Sequence, residues 1–148
     1  MITALVVYLL VGVIFGIAVV HGDSMYPAYQ DGDLLFYNRL DHSYQSEDVI
    51  LFRTEDDQLL LKRIIGVSGE EVDIEEGMGT VLINAMPLKE DYIFQQTFKK
   101  KALTYPVDIG EDEYFVMGDQ RENSYDSRDF GTIKKQQIKG KAIAVFRF

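Results

Sequence analysis

The sequence has no cysteine and only two histidines, His21 and His42. Disulfide bonds and thiolate metal sites are therefore excluded. The two histidines do not form an HExxH or similar motif, so the sequence predicts no zinc centre, and a histidine-based catalytic triad is not indicated. We expect no metal and no cofactor, and any hydrolytic chemistry must use the remaining side chains alone.

Positive charge is also scarce. The 148 residues include 15 Lys and Arg against 24 Asp and Glu, which gives a net charge of -9. This balance argues against nucleic acid as a partner, because affinity for nucleic acid depends on Lys and Arg at the phosphates. With 47% apolar residues, 26% charged residues and only 3 Pro, the composition is typical of a globular protein. The length suits one compact domain.

Charge is absent altogether from residues 2–20, ITALVVYLLVGVIFGIAVV. A helix rises about 1.5 Å per residue, so this stretch approaches the roughly 30 Å hydrocarbon core of a bilayer. The sequence predicts a transmembrane anchor helix over residues 1–20. A cleaved signal peptide and a buried helix of a soluble domain are the alternatives. The missing basic n-region and the ending IAVVHGD, which lacks an A-x-A-like site, favour a retained anchor in the lipid bilayer.

Residues 21–148 have a different pattern, in which Gly, Asp and Asn separate short β-forming runs: LLFY, VILF, LLLKRIIGV, EVDI, TVLIN, EYFVMG and AIAVFRF. We expect a mainly β domain, built as an antiparallel sheet, a sandwich or a partly closed barrel. Residues 89–110 interrupt the strands and are interpreted as a surface excursion. Its lysines at positions 99–101 are interpreted as a solvated face, with contact to anionic lipid head groups as a minor alternative.

Ser24 lies in the turn-rich segment HGDSMYP, directly after the apolar stretch. A serine between turn-forming residues can be exposed and act as a nucleophile. A structural role in a turn or a helix cap is, however, the more frequent use of a single serine. Ser24 by itself therefore identifies no site.

Lys62 lies in the apolar segment LLLKRIIG. Strand alternation places Lys62 on one face with Leu60 and Ile64, and Arg63 on the opposite face. Burial disfavours the ammonium form and lowers a lysine pKa by up to about 3–5 units, so Lys62 can accept a proton near neutral pH. The alternative is a lysine at the edge of a strand whose amine reaches water.

A third candidate is the polar stretch GDQRENSYDSRDFG, residues 118–131. Its carboxylates can pair with arginine and its serines can hydrogen-bond to a nearby amine. The residues concerned are Asp119 and Asp126 with Arg128, and Ser124 or Ser127. An ordinary polar loop is the alternative. The order of a turn serine, a lysine in an apolar strand and this stretch argues against that alternative.

The segments GDSMYP, GDLLFYNR, LKRIIGVSGE and GDQRENSYDSRDFG resemble the successive signature boxes of bacterial type I signal peptidases, in the short form of Gram-positive members. The resemblance covers essentially the whole chain, and the last box is the most specific. The first two boxes are less exclusive, because LexA-type self-cleaving repressors have similar Ser-Met and Lys regions on a related β fold. Such a repressor would need a DNA-binding domain, for which the hydrophobic start leaves no room.

The resemblance implies a serine endopeptidase with a Ser–Lys dyad and a signal peptidase/LexA-like β fold. By this resemblance Ser24 is the nucleophile, Lys62 is the general base, and the Ser124 hydroxyl orients the lysine amine. Met25 helps to shape the site beside the nucleophile. The supporting residues are Asp119, Asp126 and Arg128 as an ion-pair network, with Ser127 nearby and Arg63 as a further structural residue.

Three positions depart from the usual boxes: Gly22, where some members have a serine that assists the oxyanion hole; Ala28, where threonine is usual; and Gln120, where asparagine is usual. None of these changes removes a catalytic group. With Gly22, the oxyanion has to rely on backbone donors, chiefly the N–H of Ser24.

The implied function is removal of signal peptides from exported precursors. The implied location is the cell membrane, with a single span and the domain of residues 21–148 on the extracytoplasmic side. Small substrate side chains at positions -1 and -3 would fit shallow pockets, and the peptide would dock as an added edge strand. The alternative is a non-proteolytic assembly factor that binds a surface or pilus protein without cutting it. Retention of both Ser24 and Lys62 argues against this alternative.

Overall fold

The computed structural model describes residues 11–148. Residues 11–14 are helical, and β-strands dominate the remainder of this range. The strands are β1 (Phe15–Val19), β2 (Leu34–Asn38), β3 (Val49–Arg53), β4 (Leu59–Gly66), β5 (Glu71–Ile74), β6 (Val81–Ile83), β7 (Met86–Pro87), β8 (Val107–Asp108), β9 (Glu113–Met117), β10 (Ile133–Lys134) and β11 (Ile138–Phe146). A short helix, α1, spans Ser127–Phe130, and a turn of 3-10 helix spans Lys135–Gln137.

The strands form two antiparallel sheets. The larger sheet has seven strands in the order β1-β2-β11-β3-β4-β9-β10, and the smaller sheet has four in the order β7-β6-β5-β8. Every pairing is antiparallel. The prediction of a mainly β, antiparallel fold is therefore confirmed.

The seven predicted β runs fall on β2, β3, β4, β5, β6, β9 and β11. Three strands that the sequence did not indicate, β7, β8 and β10, have only two residues each. Two residues are too few for the alternation of apolar and polar side chains to be visible in a sequence.

Strand β1 corrects the last part of the predicted anchor helix over residues 1–20, because Phe15–Val19 form a strand that pairs in register with β2. The β-branched residues in this segment suit a strand, and alternate side chains point to opposite faces, with Ile17 exposed and Gly16 buried. Position 16 requires glycine, because a Cβ there would collide with the ring of Tyr37. Pairing with β2 outweighs helix formation here.

Within residues 11–148, no helix is long and apolar enough to cross a membrane. The first ten residues of the predicted anchor lie outside the described range.

Strand β4 is covered by apolar side chains on both faces. Ile64 belongs to a core cluster with Phe52 and Val116, whereas the next residue, Ile65, belongs to a second cluster with Phe115. The second cluster also contains residues of the smaller sheet, which therefore packs over β4 and β9. Close packing on both faces makes β4 a rigid support for the polar side chains in the middle of the strand.

The segment between β7 and β8 lies largely at the surface, as interpreted for residues 89–110, but it corrects the interpretation of its lysines as a solvated face. Thr97 in this segment is fully buried. Lys99 pairs with Asp73 of β5, and Lys100 pairs with Asp129 of α1, at 2.8 and 2.6 Å. These two lysines turn toward the protein because partly buried carboxylates attract them, and the segment thereby contacts both β5 and α1.

Candidate active site

Ser24 occupies the turn between β1 and β2. The neighbouring Met25 is buried, and its carbonyl oxygen accepts a hydrogen bond from the Tyr29 N–H at 3.0 Å, which closes the turn. The carbonyl oxygen of Ser24 accepts a hydrogen bond from the Gln120 N–H, also at 3.0 Å. Met25 and this backbone contact hold Ser24 at a fixed place beside residues 118–131, which we call the Gly118 loop.

Lys62 reaches Ser24 from strand β4. It lies opposite Ile50 of β3, is only 3% exposed, and its Nζ atom donates a hydrogen bond to Ser24 Oγ at 2.6 Å. The two residues are 38 positions apart in the chain, so the fold and not a local turn brings them together. An amine and a hydroxyl in hydrogen-bond contact have the geometry of a base and the nucleophile that it activates.

Burial lowers the pKa of Lys62 to about 8. The carboxylates of Asp126 and Asp119 oppose this shift because they stabilise the ammonium form, and the positive charge of Lys100 reinforces it. Among the described residues, no carboxylate forms an ion pair with Lys62. Its amine is therefore available in the neutral form at mildly alkaline pH.

Asp126 organises the C-terminal half of the Gly118 loop. Its carboxylate accepts two hydrogen bonds from the Arg128 guanidinium, at 2.9 and 2.8 Å, and one from the Gly118 N–H at 3.1 Å. The same carboxylate caps helix α1, while the Ser127 hydroxyl accepts a hydrogen bond from the Val116 N–H. Burial acts to raise the pKa of Asp126, but the bonds from Arg128 outweigh it and hold that pKa below its ordinary value.

Asp119 pairs with Arg63 and not with Arg128, which corrects the expected network. The Arg63 guanidinium donates to both carboxylate oxygens of Asp119, at 2.8 and 2.6 Å. Arg63 follows Lys62 in β4 and points to the other side of the strand, so one strand carries both the lysine and the anchor of the Gly118 loop. Arg63 and Asp119 thus fix the position of the Gly118 loop relative to Lys62.

A third ion pair was not found from the sequence. Arg121 is 1% exposed and donates two hydrogen bonds to Glu90, one to Thr97 and one to the carbonyl oxygen of Gly118. The Tyr92 hydroxyl also donates to Glu90, and its ring lies 4.2 Å from the Arg63 guanidinium. The position of Arg121 within the last signature box is a usable signal, but nothing in the sequence around Glu90 indicates that it faces this loop.

Ser124 is buried in the Gly118 loop, and its hydroxyl lies beside the Asp126 carboxylate, where it helps to lower the pKa of Asp126. Among residues 11–148, it makes no hydrogen bond to Lys62. A Cβ at Gly118 would collide with both Ser124 Oγ and the Ser24 carbonyl oxygen. The absence of a side chain at Gly118 therefore allows Ser124 and the Ser24 turn to approach each other.

A groove of about 160 Å³ begins at Ser24 and Lys62. It lies between β1 and β4, with β2 and β3 also contributing, and its walls are mainly apolar; they include Ala18, Val20, Leu35, Leu51 and Leu61. Strands β1 and β4 are separated by three other strands in the sheet, so the sheet must curl to bring them to the same groove. The groove is smaller than the roughly 300–1,000 Å³ of pockets for drug-sized ligands, and it suits small side chains.

Comparisons with known proteins agree with this architecture. The model of the family "Signal peptidase, peptidase S26" matches residues 1–147. Signal peptidase I V of Bacillus subtilis is 30% identical over an alignment of 135 residues, and the match covers 82% of this chain and 79% of the relative. Signal peptidase I S of the same organism is 33% identical over an alignment of 145 residues, and the match covers 90% of this chain and 77% of the relative.

A comparison with solved structures supports the same family through the fold. The crystal structure of a signal peptidase I from Enterococcus faecalis matches with a TM-score of 0.57 and 30% identity, over 67% of this chain and 96% of that chain. The curled antiparallel sheet is therefore the fold of signal peptidase I. The chain belongs to the signal peptidase family, peptidase S26. The family resemblance predicted from the signature boxes is confirmed.

Proposed function

We propose that this protein is a signal peptidase I, an endopeptidase that removes signal peptides from exported precursors with Ser24 and Lys62 as its catalytic dyad. One observation carries the proposal: a buried lysine amine with a lowered pKa donates a hydrogen bond to a serine hydroxyl at 2.6 Å. The signal peptidases among its relatives support the choice of substrate.

The first step forms an ester. Neutral Lys62 takes the proton of the Ser24 hydroxyl while Ser24 Oγ attacks the scissile carbonyl carbon. The tetrahedral intermediate then breaks its C–N bond, and the Lys62 ammonium returns the proton to the departing amine. The signal peptide is left bound to Ser24 as an ester, and Lys62 is neutral again.

Water completes the reaction. Lys62 takes a proton from water as the oxygen of water attacks the ester carbon, and the second tetrahedral intermediate breaks its C–O bond to Ser24. Ser24 regains its proton from Lys62, and the signal peptide leaves with a free carboxylate. One lysine serves as base and acid in both halves of the reaction.

The backbone N–H of Ser24 stabilises the oxyanion. This N–H has no acceptor among residues 11–148, so it is available to a substrate oxygen. Gly22 has no side chain that could supply a second donor, and its φ of 77° lies in the left-handed region that favours glycine. A backbone donor aimed at the developing negative charge is the usual device in acyl transfer.

The groove between β1 and β4 holds the end of the signal peptide. Its limited volume and apolar walls support selection of small side chains next to the cut. Within residues 11–148, strand β1 is at the edge of the larger sheet, so an extended peptide can add to the backbone groups of its outer side. Pairing along an edge strand sets the register that brings the scissile bond to Ser24.

Attachment to a membrane, on the extracytoplasmic side, is part of the proposal. Residues 2–20 carry no charge, and the outward side chains of β1, namely Phe15, Ile17 and Val19, are exposed. Exposed apolar side chains in a row mark contact with a membrane or a partner. We expect the full chain to stay with the membrane fraction after extraction at alkaline pH. Release into the supernatant would contradict membrane attachment without affecting the proposed chemistry.

The test of the chemistry is cleavage of a precursor with a signal peptide by the detergent-solubilised full chain. Ser24→Ala and Lys62→Met should each lower kcat/KM by about 10³-fold or more, because each removes a group that takes part in bond making. Ser68→Ala is the matched control, since Ser68 is exposed and far from the groove in the fold. Its activity should equal that of the wild type.

Two results would overturn the proposal. Cleavage at the signal-peptide junction that survives in Ser24→Ala would show that another group is the nucleophile. Binding of the precursor by the wild type without cleavage would instead favour the non-proteolytic assembly factor.

A further inference from the structure

Lys100 contacts the Gly118 loop from the segment between β7 and β8. Its Nζ atom donates to the carbonyl oxygen of Ser124 at 2.5 Å and to Asp129 Oδ2 at 2.6 Å. Asp129 Oδ2 also accepts a hydrogen bond from the Asp126 N–H at 3.0 Å. One ammonium group therefore joins Ser124 to the beginning of helix α1.

The contact at Ser124 matters because Ser124 packs beside Gly118, next to the carbonyl oxygen of Ser24. The position of the Ser124 hydroxyl is set by its backbone and by packing against Gly118 and the Ser24 turn. The bond from Lys100 to the Ser124 carbonyl oxygen is one of the few polar contacts that fix this backbone. Loss of that bond would release the part of the loop nearest to the catalytic pair.

Lys100 also belongs to the set of charges around Lys62. Asp119 and Asp126 favour the ammonium form of Lys62, Lys100 disfavours it, and Ser24 is its hydrogen-bond partner. Removing the charge of Lys100 would leave the two carboxylates unopposed. It would also leave Asp129 without its cation, which adds a further negative charge on the same loop.

We propose that Lys100 is a positioning residue for the Ser24–Lys62 pair, because its ammonium group ties the Ser124 backbone to Asp129 beside that pair. The proposal rests on the function proposed above. It gives the second lysine of the 99–101 run a role in the reaction, in place of the solvated face that the sequence suggested.

The test compares Lys100→Met with Lys100→Arg, and uses Lys99→Met as the matched control. Lys99 is an adjacent, equally half-buried lysine, but it pairs with Asp73 of the smaller sheet. The midpoint of the rising limb in the pH profile of kcat/KM should move up by about half a unit in Lys100→Met, which lowers kcat/KM at neutral pH about threefold. Lys100→Arg keeps the charge and should restore the midpoint, and Lys99→Met should leave it unchanged.

The loss in Lys100→Met should fall on kcat, with KM unchanged, because Lys100 lies outside the groove. A second readout does not depend on proteolysis: the titration of Lys62 followed by NMR of lysine-labelled protein, with the signal assigned by its loss in Lys62→Met. The same upward shift is expected there. An unchanged Lys62 titration in Lys100→Met, or an equal shift in Lys99→Met, would overturn the role of Lys100 even if the Ser–Lys reaction stands.

Discussion

Lys62 and the three arginines around the Gly118 loop are all buried or nearly so, yet their hydrogen-bond partners differ in charge. Each arginine has its own carboxylate: Arg63 with Asp119, Arg121 with Glu90, and Arg128 with Asp126. Lys62 has a serine hydroxyl in place of a carboxylate. The fold compensates the arginine charges and leaves the lysine charge uncompensated.

The difference in partners matches the different chemical properties of the two side chains. A guanidinium stays charged in a protein, and its rigid fork suits two parallel bonds to a carboxylate, so it can hold a loop. A lysine amine can lose its proton when burial disfavours the ammonium. The paired arginines hold the Gly118 loop against β4, whereas the unpaired lysine is available for the proton exchange with Ser24 that we propose.

The sharpest way to break this comparison is to remove the arginine from the most buried pair. Arg128→Met leaves the Asp126 carboxylate buried without its partner, so the free energy of unfolding should fall by about 3–5 kcal/mol. Urea-induced unfolding at neutral pH measures it. A loss below about 1 kcal/mol would mean that Asp126 does not depend on Arg128.

The same type of substitution at Lys62 should have the opposite sign. At neutral pH the Lys62 ammonium is present in both the folded and the unfolded chain, although its pKa is about 8 in the fold and about 10.4 when exposed. Its burial therefore costs free energy, and Lys62→Met should stabilise the protein by about 2 kcal/mol.

This gain has a defined pH dependence. It should be fully present below the folded pKa of about 8 and should shrink as pH rises toward the unfolded pKa, where the amine loses its proton in both states. Urea unfolding of wild type and Lys62→Met across this range measures the difference. Destabilisation by Lys62→Met at neutral pH would contradict the idea of an uncompensated charge.

The pair between Arg121 and Glu90 should show a smaller effect. Glu90→Gln removes the charge but keeps one acceptor, and Arg121 retains Thr97 and the Gly118 carbonyl oxygen as partners. The free energy of unfolding should fall by about 1–2 kcal/mol, and kcat should fall with it because Gly118 loses part of its support. Glu90→Gln with unchanged stability would show that the pair is not needed.

An exposed ion pair should show the smallest effect on the free energy of unfolding. Arg53 and Asp57 form an ion pair at 3.1 Å, but their side chains are 42% and 85% exposed. Water and salt screen such a pair, so Arg53→Gln should change the free energy of unfolding by less than about 0.5 kcal/mol. A larger loss would mean that burial is not what distinguishes the arginines of the Gly118 loop.

Much of the fold could be predicted because it depends on local apolar patterns. The run around Lys62 is aliphatic on both sides of Lys62 and Arg63, and β9 has four consecutive apolar residues; these segments became strands. Strand β1 could not be predicted in this way. Its sequence is apolar at every position, so it has the composition of a membrane span, and only its pairing with β2 distinguishes a strand from a helix.

The candidate site likewise contains residues that the sequence indicated and residues that it did not. Ser24, Lys62 and Asp126 lie in signature boxes, and the resemblance pointed to them before any coordinates. The predicted partner of Asp119 was wrong, because proximity in the sequence favoured Arg128. The fold instead brings Arg63 of β4 to Asp119. Glu90 and Lys100 carry no signal in the sequence, since their contacts depend on how the β7–β8 segment crosses to the loop.

The most direct test of the central claim is the pH dependence of kcat/KM for cleavage of a precursor by the wild-type chain. If the uncompensated amine of Lys62 is the base, activity requires its neutral form and should rise with pH along a limb with its midpoint near 8. Cleavage that is independent of pH from about pH 6 to about pH 10, or that falls over this range, would contradict the assignment of Lys62 as the base.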